Sequence, residues 1–410
     1  MKDTQLYSQI LGIEKPWKVI DVQVSLADDE VEVTVDHGSG KLTCPKCGKA
    51  CSGYDKRQRR WRHLDTCQLK TLLVAEVPRV QCSEHGVVTV NVPWAEPGSG
   101  FTALFEALVI DWLKDASTSA VSEHLRLSWN AVDGIMQRAV KRGLSHREAL
   151  SPRQISVDET SYRKGHDYVT VVTDQEQSVV LHVAENRVTG SLTEFYDLLS
   201  EEQRKGIESV CMDIWPAYIR ATRDALPDAD SKIAFDRFHV AQYMGKAVDQ
   251  VRRQEHRQLT SQGDERMKGS KYQWLRNRSN MSWHQQRSFS ELRQSSLKTA
   301  RAWAIKDLAS RLWDYRSRTW AEKGWKRLIN WMARSRLKPM QTTSKTLRNH
   351  LWGILNAVIR KVDNSHAESM NSRIKTLKSR ARGFRNRERF RNAIYFHLGG
   401  LHLYPEGIRV

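Results

Sequence analysis

Two aspartates interrupt apolar runs that otherwise read as buried strands: Asp158 in ISVD and Asp213 in VCMD. An unpaired carboxylate is costly to bury. Two of them side by side repel, and one pKa rises unless a divalent cation neutralises the pair. Carboxylate oxygens suit Mg²⁺ or Mn²⁺ and leave positions for water and phosphate. A pair of such ions can activate a hydroxyl and stabilise a departing 3′-oxygen in an in-line phosphoryl displacement. The alternative is two aspartates at strand ends that cap helices or turns. Glu159 and Asp167 are rival carboxylates nearby, although strand alternation directs Glu159 to the opposite face.

A third carboxylate, Glu368, falls in the first turns of a helix that Asn364 or Ser365 can cap. Nine Lys or Arg against one acid, Glu388, follow between Arg373 and Arg391. Ile374 and Leu377 make an apolar stripe, while Arg373, Lys375, Lys378 and Arg380 spread over the other faces. Alone, Glu368 could equally assist the cap or pair with an arginine on a solvated face. The two aspartates give it other groups to meet.

The cysteines suggest separate chemistry. CPKCG at Cys44 and Cys47, and CSEHG at Cys82 and His85, are paired knuckles that each end in glycine. That spacing wraps four ligands tetrahedrally around Zn²⁺. The gap between the pairs has room for strands, as in a zinc ribbon. Cys51 and Cys67 are spare thiols, Cys51 a possible substitute ligand. The alternative is a set of free cysteines in a small β module.

These residues need elements to hold them. Residues 17–35 alternate apolar and polar, as half-buried strands do. After the Pro/Gly-rich joint 93–100 the period becomes helical: FTALFEALVIDWL, then STSAVSEHL capped by Ser117 or Thr118, then WNAVDGIMQRAVKRGL. In the third helix Val132, Ile135, Met136, Ala139 and Val140 form the core face. Asn130, Asp133, Gln137 and Lys141 lie elsewhere, and a helix-turn-helix would place Asn130, Gln137 and Lys141 toward DNA. From Gln154 three strands follow, then a helix over 191–199, a buried strand ESVCMDI, a helix PAYIRATRDAL and a strand KIAFDRFHV. Three antiparallel strands and then α-β-α-β is the order of a ribonuclease-H-like domain. Its first and fourth strands lie side by side, which brings Asp158 and Asp213 together. Residues 250–355 are helical in pattern and hold eight of the fourteen tryptophans, read as helix packing in preference to base-stacking platforms.

Composition narrows the partner. A formal charge of +19 with pI near 9.7 points to a polyanion, nucleic acid before membrane. The apolar stretch 101–113 contains Glu106 and Asp111, so no membrane span is expected. The first residues lack a secretory pattern, and six cysteines in 410 residues suit a soluble protein of a reducing compartment.

The chain resembles transposases of bacterial insertion sequences, of the ISL-three family. The resemblance rests on CPKCG with CSEHG, the helix-turn-helix, SVDE, MDIWPAYI, FDRFHV, and NSHAESMNSRIK followed by ARGFRN, in that order over nearly the whole length. It implies a multidomain α/β chain: a zinc ribbon over 1–95 and a helix-turn-helix over 98–147. A ribonuclease-H-like mixed-sheet catalytic domain over 152–249 and 360–400 follows, with an all-α insertion over 250–359. It implies an Asp-Asp-Glu triad of Asp158, Asp213 and Glu368 binding Mg²⁺ or Mn²⁺, and a structural Zn²⁺ on Cys44, Cys47, Cys82 and His85, where many relatives use cysteine at the fourth position. FDRFHV resembles an Asp-x-x-His element that gives Asp236 and His239 an accessory role. Arg373, Lys375, Lys378, Arg380, Arg382 and Arg385 would then follow the backbone of double-stranded DNA, at element ends and at targets. The activity implied is cutting and rejoining of DNA strands by a homodimer or larger assembly, cytoplasmic and nucleoid-associated. The competing reading is an inactive or repurposed relative that regulates by binding DNA; a plain nuclease is a third.

Overall fold

The computed structural model describes residues 2–38, 40–163, 167–294, 297–362 and 365–408. The chain divides into two compact units. One comprises Met1–Arg147 with Tyr395–His397 and Leu401–Val410, the other Glu148–Ile394 with Leu398–Gly400.

The first unit opens with α1 (Asp3–Ile10) and a sheet of β1 (Trp17–Ser25), β2 (Glu30–His37), β3 (Ser52–Thr66), β4 (Leu69–Cys82) and β5 (Gly86–Thr89). The order is β1-β2-β4-β3, with β5 on β4. The alternating stretch resolves into two antiparallel strands, and β2 buries Val31, Val33 and Val35 on one face. These pack with Trp17, Trp61, Leu73 and Trp94. Trp94 meets Trp17 and Trp61 edge to face, with centroids 4.9 and 5.4 Å apart, the arrangement that ring quadrupoles favour.

Three helices follow: α2 (Ala103–Asp115), α3 (Thr118–His124) and α4 (Trp129–Ser145). Thr102, Ser117 and Ser128 cap them, each accepting from a backbone N–H three residues on. The expected core face of α4 is buried from Val132 to Val140, as are Val109 and Ile110 of α2 and Val121 of α3, the helices it packs on. Glu106 is buried as well, and its carboxylate meets Arg138 at 2.5 Å and Arg142 at 3.2 Å. An acid inside a helical core is tolerable because both partners belong to the same bundle.

The second unit is built on β6 (Gln154–Ser161), β7 (Tyr168–Asp174) and β8 (Val179–Glu185), then α5 (Thr189–Asp197), α6 (Glu201–Gly206), β9 (Ser209–Met212), α7 (Pro216–Ala225), α8 (Ala229–Lys232) and β10 (Ile233–Phe235). Its sheet order is β10-β9-β6-β7-β8. The first and fourth strands are therefore neighbours, and they run parallel.

Beyond β10 the chain is helical: α9 (Arg237–Ser261), α10 (Lys271–Leu275), α11 (Trp283–Gln294), α12 (Lys298–Arg311), α13 (Arg318–Arg334), α14 (Lys338–Asn349), α15 (Leu351–Arg360), α16 (Ser365–Arg380) and α17 (Arg387–Leu398). The helical stretch expected from residue 250 begins inside α9, which leaves β10 after a single residue. One core runs from Phe235 through Val240 and Met244 to Trp303, Trp325, Met340 and Ile354. Helix α15 lies on β10 at Gly353, where a Cβ would stand 2.5 Å from the Phe235 ring. Only glycine allows so close an approach. No helix among the described residues is long and apolar enough to cross a membrane.

Candidate active site and zinc site

Strand register places the carboxylates. Val157 pairs with Met212 across the parallel β6 and β9, so the next residues are neighbours: Asp158 inside β6 and Asp213 just past the carboxyl end of β9. Crevices outside such strand ends are where open α/β sheets bind ligands. Asp158, Glu159 and Asp213 each bring one carboxylate oxygen within 4.8 Å of the others. Glu159 was expected to point away. It lies inside β6, beyond the last residue of β9 that pairs with that strand, and its carboxylate joins the same cluster.

The electrostatics of this cluster follow from its crowding. Burial, and next the charge of Asp213, push the Asp158 carboxyl up to about 7. Burial also raises Glu159, against the pull of Arg187. Asp158 Oδ1 accepts from the Glu159 backbone N–H at 2.7 Å. Glu159 Oε2 is buried and accepts no hydrogen bond. Buried acceptors are almost always satisfied. Three crowded carboxylates, one with an oxygen that accepts no hydrogen bond, fit a hard divalent cation such as Mg²⁺ or Mn²⁺.

A second group adjoins the first. Asp213, Asp236 and His239 also lie within 4.8 Å of one another. Asp236 caps α9, accepting from the N–H groups of Phe238 and His239 at 3.1 and 3.3 Å. His239 Nδ1 stands 2.5 Å from Asp213 Oδ1, but its N–H is aligned with Asp236 Oδ2 at 2.8 Å. Burial works against charge on this imidazole, yet the carboxylates of Asp213 and Asp236 raise it to about 10. At neutral pH it is a cation that offsets part of the local negative charge.

Glu368 joins neither group. It is exposed in the first turn of α16, and that helix packs on β6. The link to the site is Asn371, one turn further on, whose amide donates to Asp158 Oδ2 at 2.7 Å. Lys378 donates to the Ser161 carbonyl at 2.9 Å, and Ala367, Met370 and Ile374 are the buried stripe. Arg373, Lys375, Arg380, Arg382 and Arg385 remain exposed, and Lys378 is half-buried. Of the two expected caps, Asn364 lies outside the described residues. Asp167, the other rival carboxylate, is engaged by Arg387 at 2.9 Å and belongs to neither cluster.

Sequence reasoning passed over Asn371 and Arg187. The Arg187 guanidinium lies 3.9 Å over the Trp215 ring and 5.4 Å from that of Tyr168, and reaches Glu159 Oε1 at 2.6 Å. Asn371 had a readable signal, since it sits at helical spacing from Glu368. Arg187 had none, because its partners come from three separate segments.

The expected zinc ligands converge in the first unit. Cys47 and Cys82 sulfurs are 3.8 Å apart, and His85 Nδ1 lies 3.7 Å from Cys44 and 3.6 Å from Cys82. A tetrahedron with Zn–S of about 2.3 Å and Zn–N of about 2.05 Å has edges of roughly 3.8 Å and roughly 3.5 Å. The four atoms match it. Gly48 and Gly86 close the knuckles at φ +71° and +67°, a conformation that glycine adopts without strain. Backbone donation from Glu84, then the His85 ring, draws the Cys82 thiol down to about 6, toward the thiolate that zinc needs. Cys51 lies outside this group of four.

In α4, Asn130 and Lys141 are exposed and Gln137 is half-buried. The Gln137 amide donates to Asp133 Oδ2 at 2.8 Å, so it is already engaged within its own helix.

Comparison with known proteins supplies the family. A family model described as "Transposase" matches residues 155–394. A "Helix-turn-helix domain of transposase family ISL3" matches 90–140, and a "zinc-finger of transposase IS204/IS1001/IS1096/IS1165" matches 41–85. The chain is 26% identical over 420 residues to the transposase for insertion sequence element IS1557 of Mycobacterium tuberculosis, covering 94% of this chain and 93% of the relative. It is 26% identical over 354 residues to the transposase for insertion sequence element IS1001 of Bordetella parapertussis, covering 85% and 87%.

Proposed function

Because this chain belongs to the ISL3 family of transposases, we propose that it binds the terminal inverted repeats of its own insertion sequence and catalyses metal-dependent DNA strand cleavage and strand transfer. The observation that carries this reading is the adjacency of Asp158 and Asp213 on neighbouring parallel strands, where with Glu159 they form one crowded carboxylate cluster. Helix α16 adds Glu368 as third carboxylate, one turn from the Asn371 bond to Asp158.

In this mechanism Asp158, Asp213 and Glu368 would hold Mg²⁺ or Mn²⁺, which when bound would lower the pKa of the attacking hydroxyl and stabilise the leaving 3′-oxygen. Water attacks the scissile phosphorus, the bond to the 3′-oxygen breaks, and the freed 3′-hydroxyl attacks a phosphodiester of the target. No covalent protein–DNA intermediate forms. Asn371 fixes the Asp158 carboxylate, and His239 balances charge between Asp213 and Asp236. Arg373, Lys375, Lys378, Arg380, Arg382 and Arg385 neutralise phosphates beside the cluster. The zinc ribbon and α4 supply end recognition, with Asn130 and Lys141 as base or phosphate contacts. Two ends must meet, so a homodimer or larger assembly does the work.

The test is incubation of the purified protein with end DNA of its element and Mg²⁺, followed by nick mapping. Nicks at the element boundary, absent with Asp158→Asn or Asp213→Asn, support the reading. Specific end binding without cleavage in Mg²⁺ or Mn²⁺ would instead favour a DNA-binding regulator.

A further inference from the structure

Apart from the half-buried Trp352, the tryptophans of the helical segment divide into two sets. Trp274, Trp303, Trp313 and Trp325 are buried, as expected of packing residues, but Trp283, Trp320 and Trp331 are exposed at 65, 61 and 39%. Leaving a large ring in water forgoes the stabilisation that its burial would bring. Two of these rings share α13, and they share its face. Positions 320, 323, 327, 331 and 334 recur in steps of three and four and are all exposed, while Ala321, Trp325, Leu328, Ile329 and Met332 form the buried side. The exposed stripe is Trp320, Lys323, Arg327, Trp331 and Arg334, with Lys326 alongside.

The stripe carries charge as well as rings. Lys323 Nζ stands 5.0 Å over the Trp320 ring. Among the described residues only Lys326 of these cations is in an ion pair, with Glu322 at 2.6 Å. Exposed aromatic faces interleaved with uncompensated cations fit a polyanion that also offers flat rings. We propose that this face of α13 holds unpaired DNA, with bases stacked on Trp320 and Trp331 and phosphates on Lys323, Arg327 and Arg334.

Duplex DNA fits less well, because its base faces are already stacked and only cations would gain from its backbone. A protein partner fits less well too, because no aliphatic side chain shares the exposed stripe. The two indoles are eleven residues apart, about 16 Å along a helix. A single strand in duplex geometry advances about 3.4 Å per nucleotide, so the rings take separate bases.

The helix is tied to the framework of the carboxylate cluster. Arg318 in its first turn donates to Asn356 Oδ1 at 2.9 Å. The Asn356 amide donates to the carbonyl of Ile233 at 2.8 Å, and Ile233 begins the strand that ends one residue before Asp236. Arg237, next to Asp236, lies 5.7 Å from the Trp313 ring, just before α13. The proposal deepens the reading of a strand-cutting enzyme, which opens DNA near its cluster, by naming where an opened strand goes.

The test uses the full-length protein and one random-sequence oligonucleotide, as single strand and as duplex, each labelled for fluorescence anisotropy. Trp320→Ala with Trp331→Ala should weaken single-strand binding about tenfold or more and duplex binding by less than about twofold. Trp320→Phe with Trp331→Phe should restore single-strand binding. A 2-aminopurine in the single strand should lose fluorescence on binding to the parent protein and not to the alanine variant. Unchanged single-strand affinity overturns the proposal, as does an equal loss for both DNA forms. So does a shift in oligomeric state by light scattering with DNA binding intact, which assigns the stripe to a protein contact. Cleavage of end DNA is scored separately. A parent protein that cuts nothing yet binds single strands through these indoles defeats the cleavage reading alone.

Discussion

Asn371 on α16 donates to Asp158 on β6 at 2.7 Å, across more than two hundred positions of sequence. This bond docks the helix that carries Glu368 beside the aspartate pair. Glu368→Gln keeps the shape and removes the charge, so it should abolish end cleavage by orders of magnitude and leave end binding nearly intact. Asn371→Ala loses only the orienting bond and should reduce cleavage about tenfold. Nick assays beside mobility-shift assays separate the two effects. Full cleavage by the glutamine variant would remove Glu368 from the triad.

The raised Asp158 carboxyl makes metal binding pH-dependent. Its folded-state pKa is about 7 against an ordinary 3.8, so its contribution to metal-free stability is present below the ordinary value and lost as pH rises through about 7. A cation on the ionised cluster reverses that loss. The rise in melting temperature caused by Mg²⁺ should therefore be larger at pH 8 than at pH 6. In Asp158→Asn this difference should shrink or vanish. A Mg²⁺ effect independent of pH in the parent protein would count against the site.

Zinc should be present at about one ion per chain in freshly purified protein, measured by atomic emission. Cys47→Ser should release it and unfold the ribbon, while far-ultraviolet dichroism of the helical remainder persists. His85→Cys should retain the metal, because sulfur can take the same corner of the tetrahedron. Cys51→Ser should change nothing. Loss of zinc in Cys51→Ser would revise the ligand set.

Arg380 and Arg382 are exposed at the end of the α16 basic run. Changing both to Gln should weaken binding to all sequences alike and lower the slope of log affinity against log salt by about one to two. Loss confined to element ends would instead give these arginines a base-reading role.

Gly353 tests the packing between the helical segment and the sheet. An alanine there meets the Phe235 ring at 2.5 Å and should destabilise the protein by about 1–3 kcal/mol in urea unfolding. Phe235→Leu should relieve part of that cost. A neutral Gly353→Ala would show that α15 is free to move off β10.

Much of this protein could be read from local order alone. The knuckle spacing, the serine caps of α3 and α4, the three-helix period and the strand sequence around Asp158 and Asp213 are local or topological. Near neighbours in the chain determine them, so periodicity and turn chemistry reveal them. Tertiary structure decided what depends on side-chain reach and on distant segments. Glu159 joins the cluster, Asn371 engages Asp158, and Arg187 is clamped by Trp215 and Tyr168. It also separated the tryptophans. A helical period shows that Trp320 and Trp325 lie on different faces, but which face meets the core depends on where α12, α14 and α15 pack. Local sequence specifies the period of an element; only the packed neighbours determine which of its faces remains in water.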